Sequence, residues 1–199
     1  MRYLALGDSY TIGEGVPEAS RWPVQLAARL RAAGHPINDP QVIAKTGWTT
    51  DELDAAITQT APPAHCALVT LLIGVNNQYR GRPLEEYRAQ FAALLDRAVG
   101  FADGRAERVI VVSIPDWGVT GFAKGRDPVA IAEQIDAFNA AAKALALARG
   151  AHWVSVTEAS RSHGADARFL AKDGLHPSGS AYSEWTAQVE PVAREALTR

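Results

Sequence analysis

Ala67-Leu68-Val69-Thr70-Leu71-Leu72-Ile73 carries a single polar side chain and then breaks at Gly74-Val75-Asn76-Asn77. A strand with one wet face alternates apolar and polar residues. An unbroken apolar run of this length belongs to a strand covered on both faces. Val109-Ile110-Val111-Val112-Ser113-Ile114 repeats the pattern, and Tyr3–Leu6, Val42–Ala44 and Trp153–Val156 are shorter runs of the same kind. Helical spacing fills the intervals. Trp22, Leu26 and Leu30 share a face before a stop at Gly34, and Thr49-Thr50-Asp51-Glu52 offers a capping box ahead of Leu53, Ala56 and Ile57. Tyr87, Phe91, Leu94, Leu95 and Ala98 form another stripe, as do Ile131, Ile135, Phe138, Ala142 and Leu145. Tyr182, Trp185, Val189, Val192 and Ala196 form the last. Strands alternating with helices predict an α/β fold, with a parallel sheet, right-handed crossovers and helices on both sides. No repeat, low-complexity segment or linker interrupts it, so residues 1–199 are assigned to one domain.

The connections are unequal. Several helix-to-strand links are short, with Gly150 nearly sufficient for one of them. The strand-to-helix links Gly7–Ser20, Gly74–Pro83, Ser113–Asp127 and Thr157–Ser178 are long and rich in Gly, Asn, Asp and Trp. In a parallel sheet these lie at the C-terminal edge, where open α/β folds bind ligands.

Basic and acidic side chains, 20 against 22, nearly cancel, and no basic stripe stands out, so a nucleic-acid partner is not expected. The lone Cys66 has no internal disulfide partner and heads an apolar run, which suits burial as a small apolar side chain. Met1 leads straight into a strand rather than a signal peptide, and no apolar run is long enough to cross a bilayer. These features lead us to expect a cytoplasmic protein without membrane insertion. It would be monomeric or homodimeric, a dimer being permitted by the apolar C-terminal helix and by tryptophans at the surface.

Every residue suited to chemistry falls on that C-terminal edge. Gly7-Asp8-Ser9 follows the first apolar run, and Asp173-Gly174-Leu175-His176-Pro177 lies in the last loop. Taken singly, Ser9 is a turn serine, His176 a solvated loop histidine and Asp173 a turn cap. Together they supply a nucleophile, a base and the carboxylate that orients the base. A spacing of three residues lets Asp173 hold Nδ1 of His176 and leaves Nε2 for Ser9. An acyl-transfer site also needs donors for the developing oxyanion. Gly47, in Lys45-Thr46-Gly47-Trp48, permits close approach of a backbone N–H, and Asn76 offers a side-chain amide. With the Ser9 N–H they would make a three-donor oxyanion hole. Asp8 is read as a tie for the turn rather than as a catalytic acid.

Gly7-Asp8-Ser9, Gly47, Gly74-Val75-Asn76-Asn77 and Asp173-Gly174-Leu175-His176 resemble the blocks of the SGNH/GDSL hydrolase family, in order and over nearly the whole chain. The resemblance implies a flavodoxin-like three-layer α/β/α fold with a five-stranded parallel sheet of order 2-1-3-4-5. It implies Ser9 as nucleophile, His176 as base and Asp173 as orienter, with Gly47 and Asn76 joining the Ser9 N–H in the oxyanion hole. Tyr10 replaces the leucine of Gly-Asp-Ser-Leu, and Asn77 replaces the aspartate of Gly-x-Asn-Asp. The Gly-x-Ser-x-Gly elbow of the α/β-hydrolase fold is absent, since Thr11 takes the second glycine's place.

The expected reaction is two-step acyl transfer on a small-molecule acyl ester, without metal or cofactor. Tyr10, Trp48, Tyr79 and Trp117 are expected to form a partly apolar groove beside Ser9. Arg80 is placed either on a polar or anionic part of the substrate or on a surface carboxylate. Trp22, Trp153 and Trp185 are expected in the core, and His35, His65, His152 and His163 as surface or structural residues. No insertion is long enough to lid a lipid tunnel, which favours short acyl groups. A thioester or amide substrate would use the same triad. A flavodoxin-like binding module is the non-enzymatic alternative, although Asp8 and Glu14 beside the first loop would repel phosphate.

Overall fold

The computed structural model describes residues 1–198. Strands β1 (Arg2–Gly7), β2 (Gln41–Ala44), β3 (Cys66–Leu72), β4 (Val109–Val112) and β5 (His152–Val154) form one sheet of order β2-β1-β3-β4-β5. Every neighbouring pair is parallel. The sheet is the expected one, with β4 and β5 each ending two residues before the apolar runs that announced them.

Helices α1 (Ser9–Ile12), α2 (Trp22–Ala32), α3 (Thr50–Thr60), α4 (Val75–Tyr79), α5 (Leu84–Phe101), α6 (Pro128–Ala148), α7 (Thr157–His163) and α8 (Gly179–Thr198) complete the fold. α2 packs on α8 on one side of the sheet, while α5 packs on both α3 and α6 on the other. Arg29 of α2 donates to the Ser183 hydroxyl of α8 at 2.7 Å, and Arg97 of α5 reaches Asp54 of α3 at 2.7 Å. Leu4, Leu6, Leu68, Val69, Leu71, Leu72 and Val109–Val111 are buried, because side chains on both faces of the central strands meet helices. The capping box of α3 forms, with Glu52 accepting from the Thr49 N–H at 2.9 Å. α1, α4 and α7 lie inside segments that the sequence marks only as loops. Each is too short to display a 3.6-residue hydrophobic period.

Cys66 is buried at the head of β3, and Trp22 and Trp185 are buried in the core. Trp153 is half-buried against that core. Trp117 is also buried and Trp48 is half-buried, so no tryptophan is fully exposed. Among the described residues no helix is long and apolar enough to cross a membrane.

The register brings the site together. Gly7, the last residue of β1, lies opposite Ala44 on one side and Leu72 on the other. Three strands therefore end level, and Ser9, Gly47 and Asn76 follow them by a few residues onto one edge.

Candidate active site

Ser9 opens α1 immediately after β1 and is 4% exposed. The turn that presents it is crowded. A Cβ on Gly7 would stand 2.2 Å from Thr11 Oγ1 and 2.5 Å from the Leu72 carbonyl oxygen. Only glycine fits there without moving the strand backbone. Asp8 caps α1, accepting from the Tyr10 N–H at 3.0 Å through Oδ1, so it does tie the turn. Its other carboxylate oxygen is buried without a partner. Burial raises the Asp8 carboxyl to about 7, against the lowering effect of the Tyr10 N–H. The Ser9 N–H, at the first position of a helix, has no intrahelical acceptor.

The Asp173–His176 pair is built by local hydrogen bonds. Asp173 Oδ1 accepts from the N–H groups of Leu175 at 2.9 Å and His176 at 3.0 Å, and Oδ2 meets His176 Nδ1 at 2.6 Å. Burial pushes the Asp173 carboxyl up, but these three donors outweigh it and hold it below its ordinary value. A carboxylate only accepts, so the proton in this bond belongs to Nδ1, the arrangement in which the neutral ring offers Nε2 as its acceptor. An isolated antiparallel bridge between Leu170 and Pro177 pinches the base of the loop.

Two contacts dock this loop on the Ser9 turn. The Tyr10 ring lies 5.6 Å from the His176 ring, between it and Trp185 at 6.0 Å. Gly15, with φ +79°, approaches so closely that a Cβ there would be 2.9 Å from Ala171 Cβ and 3.7 Å from Asp173 Oδ2. Neither the Ser9 hydroxyl nor His176 Nε2 is hydrogen-bonded to a described residue.

Gly47 adopts φ +88°, a left-handed conformation that suits glycine. Its turn closes through the Trp48 N–H to the Lys45 carbonyl at 3.2 Å, which leaves the Gly47 N–H outside that bond. Asn76 Nδ2 donates to the Trp48 carbonyl at 2.9 Å, committing one of its two amide hydrogens. Asn77 is fully buried. Its Oδ1 accepts from the Thr50 N–H at 3.1 Å, and its Nδ2 donates to the Thr50 hydroxyl at 2.8 Å. That hydroxyl in turn donates to Gln90 Oε1. Asn77 therefore fixes the start of α3, and through it the loop that carries Gly47 and Trp48.

The residues expected to line a groove divide. Tyr10 and Trp117 are buried, and both line a narrow apolar pocket with Leu175, Pro177, Ala181 and Trp185. Ser9 and His176 are not among its walls, so the pocket flanks the pair. Trp48 is half-buried against the core. Tyr79 is exposed and packs edge-on to Trp117 at 5.4 Å. Arg80 donates to the Gly47 carbonyl at 2.7 Å and meets Glu52 at 3.4 Å, the carboxylate contact held open from the sequence.

Other pairings join residues that are far apart in the sequence. His163, read as a surface or structural residue, meets Glu184 at 2.6 Å and stacks on Phe169 at 3.6 Å, partners that lie beyond any local pattern. At the opposite edge of the sheet, just before β3, His65 meets Asp103 at 2.7 Å. Asp116, 2% exposed, accepts from the Gly118 N–H at 2.8 Å and pairs with Arg161 at 2.9 Å, which fixes the loop after β4.

A five-stranded parallel sheet sandwiched by helices defines a three-layer α/β/α protein, with Ser9, Gly47, Asn76 and the Asp173–His176 pair as its candidate site residues. A family model for the GDSL-like lipase/acylhydrolase family matches residues 5–183, and the chain belongs to that family. Membership supports an acyl-ester hydrolase. No curated protein matches the chain. Among solved structures, TesA is 20% identical with a TM-score of 0.78, covering 99% of this chain and 100% of that one. The psychrotrophic esterase EstA from Pseudoalteromonas sp. is 18% identical with a TM-score of 0.72, covering 100% and 99%. The extracellular lipase from Streptomyces rimosus is 22% identical with a TM-score of 0.68, covering 98% and 99%. At these identities the likeness is one of fold.

Proposed function

We propose that this protein is a serine esterase acting on small or short-chain acyl esters through Ser9, His176 and Asp173. The observation that carries the proposal is the Asp173–His176 pair. It holds Nδ1 protonated on a loop docked, through Tyr10 and Gly15, on the turn that presents Ser9.

The Ser9 oxygen attacks the ester carbonyl while its proton passes to His176 Nε2. The carbonyl oxygen, now negative, takes hydrogen bonds from the N–H groups of Ser9 and Gly47 and from the second amide hydrogen of Asn76. Collapse breaks the bond to the alcohol, which leaves with the proton from Nε2. Water then attacks the acyl-Ser9 ester, giving its proton to Nε2, and the second collapse returns that proton to Ser9 as the carboxylic acid departs. Asp173 keeps its charge throughout and stabilises the imidazolium. The lack of an insertion long enough to lid a lipid tunnel supports short groups over long chains.

EstA, which shares the fold, has been crystallised inhibited by monoethylphosphonate. An activated serine takes such a reagent, and it supplies the test. A fluorophosphonate should modify Ser9 alone, as read by intact mass and peptide mapping, and His176→Ala should slow the reaction about a thousandfold or more. Folded protein that stays unmodified would reject the proposal. Ester hydrolysis should also decline beyond about octanoyl.

A further inference from the structure

At the rim of the same edge, Tyr79, Trp117 and Phe122 form an aromatic cluster, with ring centroids 5.4, 6.1 and 6.0 Å apart. Tyr79 and Phe122 are left exposed, at 41% and 45%. The Arg126 guanidinium lies over this cluster, 4.8 Å from the Tyr79 centroid and 5.3 Å from that of Trp117. One of its nitrogens donates to the Tyr79 hydroxyl at 3.1 Å.

The cluster is anchored from beneath. Trp117 Nε1 donates to Gln78 Oε1 at 2.8 Å, and Gln78 Nε2 donates to Gln134 Oε1 at 2.8 Å. Gln78 is 5% exposed, so α4, the loop after β4 and α6 together set where the guanidinium stands. Among the described residues no carboxylate forms an ion pair with Arg126. The adjacent Asp127 directs Oδ1 to the N–H groups of Val129 and Ala130 at the start of α6. A guanidinium lying on aromatic faces keeps its remaining N–H groups in its own plane, a fork matched to a carboxylate.

We infer that Arg126, seated on Tyr79 and Trp117 with Phe122 beside them, is a subsite for a carboxylate on the ligand. Taken with the esterase activity proposed above, on which its catalytic meaning rests, the substrate class becomes an ester carrying a carboxylate in its alcohol or its acyl part.

Two matched pairs separate these cases: phenyl acetate against 4-acetoxybenzoate, and methyl butyrate against monomethyl glutarate. In one pair the wild type should favour the charged ester by about tenfold in kcat/KM at low salt, and the preference should shrink at about 0.5 M salt. Arg126→Gln should bring the charged-to-neutral ratio close to one. Arg126→Lys should restore it only in part, since a point charge lacks the fork. Arg194→Gln, the same charge change near the far end of α8, should leave the ratio alone. A preference that survives Arg126→Gln, or its absence from both pairs, overturns the inference. Calorimetric binding of 4-hydroxybenzoate and glutarate to the Ser9→Ala protein keeps the two proposals apart. If no ester is hydrolysed but binding weakens about tenfold in Arg126→Gln, the esterase proposal fails and the subsite stands. Binding unchanged by Arg126→Gln removes the subsite whatever the activity.

Discussion

Asp8 and Asp173 flank the same candidate site and live under opposite conditions. Asp8 is fully buried, with one oxygen on the Tyr10 N–H and the other on nothing. Asp173 keeps 39% of its side chain exposed and is surrounded by donors. Burial lifts the first carboxyl, and hydrogen bonds lower the second. The turn after β1 is held by packing so close that only glycine fits at position 7. The last loop is held by three hydrogen bonds that one side chain makes to Leu175 and His176 just after it. A nucleophile set by packing and a base set by local polar bonds should fail in different ways.

The largest expected difference is in activity. Asp173→Asn should lower kcat about ten-thousandfold while leaving the melting temperature nearly unchanged, because the amide can still cap the loop but no longer orients the imidazole. Steady-state kinetics beside thermal melts check both halves. Next, Gly7→Ala should cost about 3 kcal/mol or more in urea unfolding, since the Leu72 carbonyl cannot yield without moving a central strand. At Gly174, with φ +69° and open space around it, the same substitution should cost only about 1 kcal/mol, the strain of a left-handed alanine. Equal losses at the two glycines would erase the contrast.

The two aspartates should also bend the stability–pH curve in opposite senses. The Asp8 carboxyl is raised from 3.8 to about 7, so folding takes up a proton between those values. Its contribution therefore falls as pH rises through that window and is flat above it. Asp8→Asn should gain on wild type from about pH 4 to about pH 7, and urea midpoints across that range measure the gain. Asp173 is lowered, so its contribution is present above 3.8 and is lost as pH falls through its folded value. Asp173→Asn should lose stability relative to wild type only above that window, and modestly, given its exposure. The smallest effect belongs to Asn77→Asp. The Thr50 N–H and hydroxyl can both donate to a carboxylate, so kcat/KM should stay within about threefold. A large loss there would mean that the Thr50–Gln90 bond, rather than Thr50 itself, holds the Gly47 loop.

The sequence determined the strands and the parallel sheet, and it named the candidate site residues. Unbroken apolar runs and residues three apart are local facts, and burial on two faces or a carboxylate on its neighbouring imidazole follows from them directly. The tertiary structure decided what depends on distance through space. It alone set the level ends of β1, β2 and β3, the crowding around Gly7 and the His163–Glu184 pair. It alone showed that Trp117 is buried on Gln78 while Arg126 stands over it. Those contacts join residues tens of positions apart, whose meeting depends on how helices seat on the sheet, and no spacing along the chain records it.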